Sequence, residues 1–179
     1  SVSVQNDIRR MTQTLHHRGP DGEGIFVEGP IALGHRRLSI IDLENGAQPM
    51  ESSNKVAVIS FNGEIYNFPE LRKQLLSEGY TFATQCDTEV ILALYERYGE
   101  QCVDFLRGMF TFALWDRKQQ KLMLARDRIG IKPLYYTQQN NAVYFASEIK
   151  AIRAVLPINE LNTHCLLYTS DAADDCWSV

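Results

Sequence analysis

Apolar positions recur along this chain with two periods, one helical and one extended. Ile8, Met11 and Leu15 fall three to four residues apart in "SVSVQNDIRRMTQTLHHRGPDG", which predicts a helix capped by Ser3 and stopped by Gly19-Pro20. "GPIALGHRRLSIID" reads as a strand, a turn and a second extended piece, and "KVAVISFNG" as a strand ending at Asn62-Gly63. The helical period returns in "FPELRKQLLSEG", where Leu71, Leu75 and Leu76 share a face, Asn67 is the N-cap with Glu70 three residues on, and Gly79 is the stop. A further helix, "DTEVILALYERYG", starts with Asp87 or Thr88 as cap, buries Val90, Ile91 and Leu94, and ends at Gly99. After "EQCVDFLRG", the runs "MFTFALWD", "KLMLARD", "IKPLYYT" and "AVYFASE", separated by "RKQQ", "RIG" and "QQNN", suit a largely antiparallel sheet, and "SEIKAIRAV" comes next as a helix. Strands and helices without strict alternation predict an α+β fold rather than a doubly wound parallel sheet.

Composition narrows the picture. The 179 residues are 45% hydrophobic with eight Tyr and eight Phe, enough for one sizeable core in a single domain. No apolar run reaches the ~20 residues of a membrane span, and the first residues lack the basic-then-apolar order of a secretory signal, so a cytoplasmic protein with no membrane partner is expected. With 18 Lys and Arg against 22 Asp and Glu, a net charge of −4 and no basic cluster, nucleic acid is not an expected partner. Cysteines at 86, 102, 165 and 176 form no CxxC pair and no His cluster joins them, so neither a metal site nor a disulfide framework is expected.

The two ends read differently from the middle. The chain opens in a helix without an initiator Met, which marks a processed chain or a fragment. From residue 165 to 179, "CLLYTSDAADDCWSV" has no Lys or Arg and no period, and reads as a translated adapter joined to a truncated gene. Without it the balance is 18 basic against 19 acidic residues. Residues 1–164 are therefore expected to be the domain and 165–179 a non-native tail.

Four polar stretches are candidates for chemistry: "HHRGPDG", "GHRRLSIID", "FNGEIYN" and "CDTEV". Each has a plain reading as well. Arg18 to Gly22 can be a turn, Arg36 and Arg37 solvated strand residues, Asp87 a helix cap, and Asn62-Gly63 a hairpin turn. The residues after the pair weaken the hairpin reading, because Glu64 to Asn67 lead into a helix rather than a returning strand. An Asn amide beside a Gly N–H can hold two donors toward one oxygen, as an oxyanion hole requires. An Arg that pairs with a carboxylate and an Asp that pairs with an ammonium would together recognise an α-amino acid. These residue types point to amino-acid chemistry at a carbonyl.

In order and at compatible spacing, "HHRGPDGEG", "LGHRRLSIIDLENGAQPM", "SFNGEIYNFPELR", "CDTEVILALYERYG", "LRGMFTFALWDRKQQKLMLARDRIGIKPLYY" and "FASEIKAI" resemble the glutaminase domain of glutamine-hydrolysing asparagine synthetases, a class II glutamine amidotransferase domain. The resemblance runs from about residue 8 to 155. It implies an N-terminal-nucleophile hydrolase fold, a four-layer αββα sandwich with two mainly antiparallel sheets. It implies further that Arg37 binds the α-carboxylate of L-glutamine with backbone contacts from Ile41, that Asp87 and Glu64 hold the α-amino group, and that Asn62 and Gly63 form the oxyanion hole. No cofactor is implied in this domain. ATP and Mg²⁺ belong to a covalently linked synthetase domain, and the full-length protein is a possible homodimer.

The family's nucleophile is a cysteine at the mature N-terminus, whose own α-amino group, with a pKa of about 7.7–8.0, serves as general base. Here residue 1 is Ser, no cysteine precedes Cys86, and the family's first strand is expected to be missing. The chain is thus expected to be an inactive fragment of an asparagine-synthesising enzyme. The alternatives are a non-catalytic amino-acid-binding module, or the same domain serving another amidation acceptor. Cys86 lacks a terminal amine and is not an expected nucleophile, and His16, His17 and His35 are expected to be structural.

Overall fold

A computed structural model describes residues 2–38 and 46–157. Helix α1 (Val2–Thr14) is followed by a short 3-10 turn, His16–Arg18, and then by the antiparallel hairpin of β1 (Gly22–Glu28) and β2 (Ile31–Arg37). A short β3 (Met50–Glu51) pairs with β4 (Ala57–Ile65), and β4 leads through Asn67 into α2 (Phe68–Ser77). After α3 (Asp87–Tyr98) come β5 (Gly108–Asp116) and β6 (Lys121–Arg126), then the hairpin of β7 (Tyr135–Gln139) and β8 (Ala142–Ala146), and the short α4 (Ile149–Arg153). The order β3-β4-β5-β6 forms one antiparallel sheet, and β1-β2 and β7-β8 are separate antiparallel pairs.

Three apolar layers stack these elements. Ile59, Phe61 and Ile65 of β4 and Phe112 and Leu114 of β5 pack with Leu71 and Leu75 of α2 and Val90, Ile91 and Leu94 of α3. The opposite face of the same sheet, through Val58, Ala113 and Trp115, meets Ile31 and Leu33 of β2 and Phe145 of β8. Met11 of α1 and Ala151 and Ile152 of α4 form the third layer with Tyr135 and Tyr144. The order is helices, sheet, sheet, helices, the expected αββα sandwich. Strand β5 carries an unbroken buried run from Phe110 to Asp116 because both of its faces are covered.

Local readings shift where tertiary demands win. The helix begins at Val2, so Ser3 lies inside α1 rather than capping it. Strand β2 crosses Gly34 without a turn, because this glycine makes room for α1: a Cβ there would stand 2.3 Å from Thr12 Oγ1 and 3.1 Å from the Ile8 side chain. The turn falls earlier, at Gly29 with φ +53°. Leu76 is 50% exposed and leaves the Leu71/Leu75 face. Asn67 does occupy the N-cap position, but its side chain bonds elsewhere, donating to Phe105 O at 2.9 Å and accepting from Arg107 N at 2.9 Å. The α3 cap is Cys86, with Asp87 as the first helical residue. Strand β7 begins only at Tyr135, and its turn narrows to Asn140-Asn141, both with positive φ.

His35 joins the two sheets: its Nδ1 lies 3.1 Å from Ser60 Oγ. Burial, together with the Arg37 charge, lowers its pKa from 6.5 to about 4. Between those values the unfolded chain takes up a proton that the folded chain refuses, so stability should fall by about 1–3 kcal/mol as pH drops from 6.5 to 4. Urea titrations across that range should show the loss, and His35→Gln should flatten it; an unchanged slope in the variant would refute the assignment. Gly34→Ala should cost about 1–3 kcal/mol by overpacking against α1, whereas Gly22→Ala, with 3.6 Å to its nearest neighbour, should melt like the parent.

Candidate functional site

The site is built on one edge of β4. Strand β3 covers Val58 and Ile59, and among the described residues no strand pairs with residues 60–65 on that side, which is called the free edge below. Residues of β4 alternate in where their backbone groups point, and the register decides which are free. Gly63 stands opposite Phe110, whose own N–H and C=O turn the other way, the N–H donating to Asp127 Oδ2 at 3.2 Å and the C=O accepting from Asp127 N at 2.8 Å. The Gly63 N–H therefore faces the free edge, as do those of Phe61 and Ile65 two residues to either side.

Those two neighbours are capped by side chains. Phe61 N–H donates to Gln48 Oε1 at 3.0 Å, and Ile65 N–H donates to Asp87 Oδ2 at 3.0 Å. Among the described residues nothing accepts from Gly63 N–H. Only glycine fits here, since φ is +155° and a Cβ would lie 2.2 Å from Met109 O and 2.6 Å from Phe110 Cα. Asn62-Gly63 is thus neither a hairpin turn nor a strand end; β4 runs through the pair to Ile65 because β5 pairs with it residue for residue as far as Gly108.

Period-2 alternation places the side chains. Val58 and Ser60 face the other sheet, through the inter-sheet core and the His35 bond, so Asn62 continues that face and Glu64 comes after it, exposed, at the end of the strand. On β2 the inward series is Ile31, Leu33, His35 and then Arg37. Even positions of β2 face α1, where Arg36 donates to Thr12 O at 3.3 Å and pairs with Glu23 at 2.7 Å. Of two adjacent arginines, Arg36 is structural and Arg37 lies on the inter-sheet face, one step beyond His35 as Asn62 is one step beyond Ser60. Gly19 supports this end: a Cβ there would stand 2.5 Å from Arg37 N, and Asp21 N–H donates to Arg37 O at 3.1 Å. Ile41 lies outside the described residues.

Asp87 brings its carboxyl to this edge from the start of α3. Burial raises its pKa, and the neighbouring Glu64 charge adds to the rise, while N–H groups of Ile65, Thr88 and Asp87 itself oppose it. One carboxylate oxygen is engaged by Ile65, and the acidic pair Asp87/Glu64 concentrates negative charge beside the Gly63 N–H. Such an edge can hold a cation on one side and a developing oxyanion on the other. No group of His, Cys, Asp and Glu suited to a metal ion occurs among the described residues.

The pattern of the sequence missed Gln48, a polar residue in a segment without period. Its Nε2 also donates to Thr88 Oγ1 at 2.9 Å, and a clue to its placement was the glycine at position 24, where a Cβ would come within 1.7 Å of Gln48 O. It missed Asp127 as well, whose carboxylate accepts from Phe110, Ile131 and Lys132 N–H groups and backs the strand behind Gly63. Those bonds outweigh its burial and lower its pKa.

A family model described as a glutamine amidotransferase domain matches residues 1–170. The chain is 52% identical over 145 residues to glutamine-hydrolyzing asparagine synthetase 1 of Bacillus subtilis, covering 81% of this chain and 23% of that protein. It is 39% identical over 173 residues to glutamine-hydrolyzing asparagine synthetase B of Escherichia coli, covering 96% and 31%. The chain thus spans about a quarter to a third of these curated relatives. The solved structure of glutamine phosphoribosylpyrophosphate amidotransferase from B. subtilis, complexed with ADP and GMP, superposes with a TM-score of 0.60 at 28% identity, covering 69% of this chain and 29% of that one. The layered antiparallel sheets and this likeness together give the N-terminal-nucleophile hydrolase fold. By the match over residues 1–170 and the resemblance to the glutamine-hydrolysing asparagine synthetases, the chain belongs to the glutamine amidotransferase domain family.

Proposed function

We propose that the β4 edge binds L-glutamine and supports hydrolysis of its side-chain amide. The carrying observation is that, among the described residues, the Gly63 N–H is left without an acceptor between two capped N–H groups, beside the half-buried Asp87 carboxylate. In this reading Gly63 N–H and the Asn62 amide hold the oxyanion, and a single such donor contributes about 2.7–4 kcal/mol to the barrier. Asp87, through the oxygen not engaged by Ile65, and Glu64 hold the α-ammonium; Arg37 holds the α-carboxylate, with Ile41 lending backbone contacts.

The covalent step needs a thiolate that attacks the amide carbon, expels ammonia and leaves a thioester for water to hydrolyse. Neither described cysteine suits it. Burial pushes the Cys102 thiol up to about 12, and Cys86 Sγ lies 2.9 Å from the Thr84 hydroxyl at the helix start. On this reading the 179-residue chain binds glutamine, and neither Cys86 nor Cys102 supplies the nucleophile. In the longer cytoplasmic protein the ammonia would serve ATP- and Mg²⁺-dependent amidation of aspartate by a linked synthetase domain.

Calorimetric titration with L-glutamine should show binding while ammonia release stays at background; absence of binding would refute the substrate, and turnover matching an intact domain would refute the missing nucleophile. Asp87→Asn should weaken binding at least about tenfold, the loss expected for a charge-assisted contact. Its melting temperature should hold or rise, because the folded pKa of Asp87 lies above its unfolded value and its ionised form opposes folding at pH 7. Binding to the parent should weaken on acidification sooner than an ordinary carboxylate dictates, since the ionised form is the one required.

A further inference from the structure

Resting on that reading, we propose that Gln48 is a positioning residue for α-amino recognition: its amide ties the first turn of α3, and with it Asp87, to the β4 edge beside Gly63. The contacts close a ring. Phe61 N–H donates to Gln48 Oε1 at 3.0 Å, Gln48 Nε2 donates to Thr88 Oγ1 at 2.9 Å, Thr88 adjoins Asp87, and Asp87 Oδ2 accepts from Ile65 N–H at 3.0 Å. Residues 61 and 65 of β4 complete it, and Gly63 lies midway between them.

Each part of the ring is fixed from outside. The Gln48 backbone is seated against β1, where Gly24 leaves no room for a side chain, and Thr88 is 3% exposed in the first turn of α3. A primary amide suits the place because it is acceptor and donor at once, satisfying a strand N–H that lacks a partner strand and supplying a donor to a buried hydroxyl. Without it, the hydrogen bonds described between the first turn of α3 and this edge reduce to that of the Asp87 carboxylate, which is already held there against the cost of burial. The apolar packing of α3 on β4 begins further along the helix. Asp87 would then spend part of its time away from the place where an α-ammonium must meet it.

The test uses Gln48→Met, which keeps length and volume but removes both hydrogen-bonding ends. In the free chain, amide exchange monitored by NMR should accelerate at Phe61 and at Ile65 together; acceleration at Phe61 alone would show that the ring does not couple them and would overturn the proposal. With ligands, the preference for L-glutamine over its des-amino analogue, 4-carbamoylbutanoate, should shrink about tenfold in Gln48→Met. The double variant with Asp87→Asn should lose no more than Asp87→Asn alone. A retained preference overturns the proposal, since a merely structural loss would weaken both ligands equally. If the parent chain fails to bind L-glutamine, the substrate reading falls, and the exchange pattern still decides whether the ring exists.

Discussion

A β-strand edge must dispose of its N–H groups, and the way β4 does so organises this molecule. Among the described residues, strand β3 serves the edge for two positions. Beyond it the strand depends on side chains arriving from distant segments, a glutamine from before β3 and an aspartate from the start of α3. Each satisfies one donor, and among the described residues nothing takes the N–H of the glycine between them. What would be a defect in a purely structural sheet becomes a place where an external oxygen can bind. The glycine is compulsory for the same reason, because the backbone of β5 occupies the space a side chain would need.

The remaining layers keep this edge in place. The apolar run of β5, covered on both faces, fixes the register of β4, and Asp127 takes the Phe110 groups that point away from Gly63. On the far side, His35 and Ser60 tie β2 to β4 one step before Arg37 and Asn62 emerge. A neutral imidazole suits that position. It satisfies a buried polar contact without adding a second positive charge beside Arg37, and the Arg37 charge itself helps to keep the proton off.

Much of this was legible in the chain. The helical stripes at Leu71 and Leu75 and at Val90, Ile91 and Leu94, and the alternation of strands after residue 108, reflect burial and were read correctly. The cap of α3, the side-chain bonds at the helix starts and the role of Gly34 were not. Local propensity ranks Asn67 and Asp87 as helix caps, yet both side chains are recruited by other segments, Asn67 by residues 105–107 and Asp87 by β4. Gly34 looks like a turn because its neighbour across the layer, α1, is invisible in sequence. Gln48 left no periodic trace, since one amide bridging two elements has no spacing to repeat. The pattern picked out Asn62-Gly63, Arg37 and Asp87; the support beneath them is long-range.

The adjacent pair Arg36-Arg37 makes β2 intolerant of changes in length. One guanidinium is committed to α1 and Glu23, the next to the space between the sheets, and only the parity of the strand assigns them. A single inserted or deleted residue between Ile31 and Arg37 would exchange their faces, sending a committed ion-pair partner into the inter-sheet space and withdrawing the arginine beside it. Homologous chains can thus be expected to hold the residue count of this strand fixed, with a small residue at Gly34 on its α1 face.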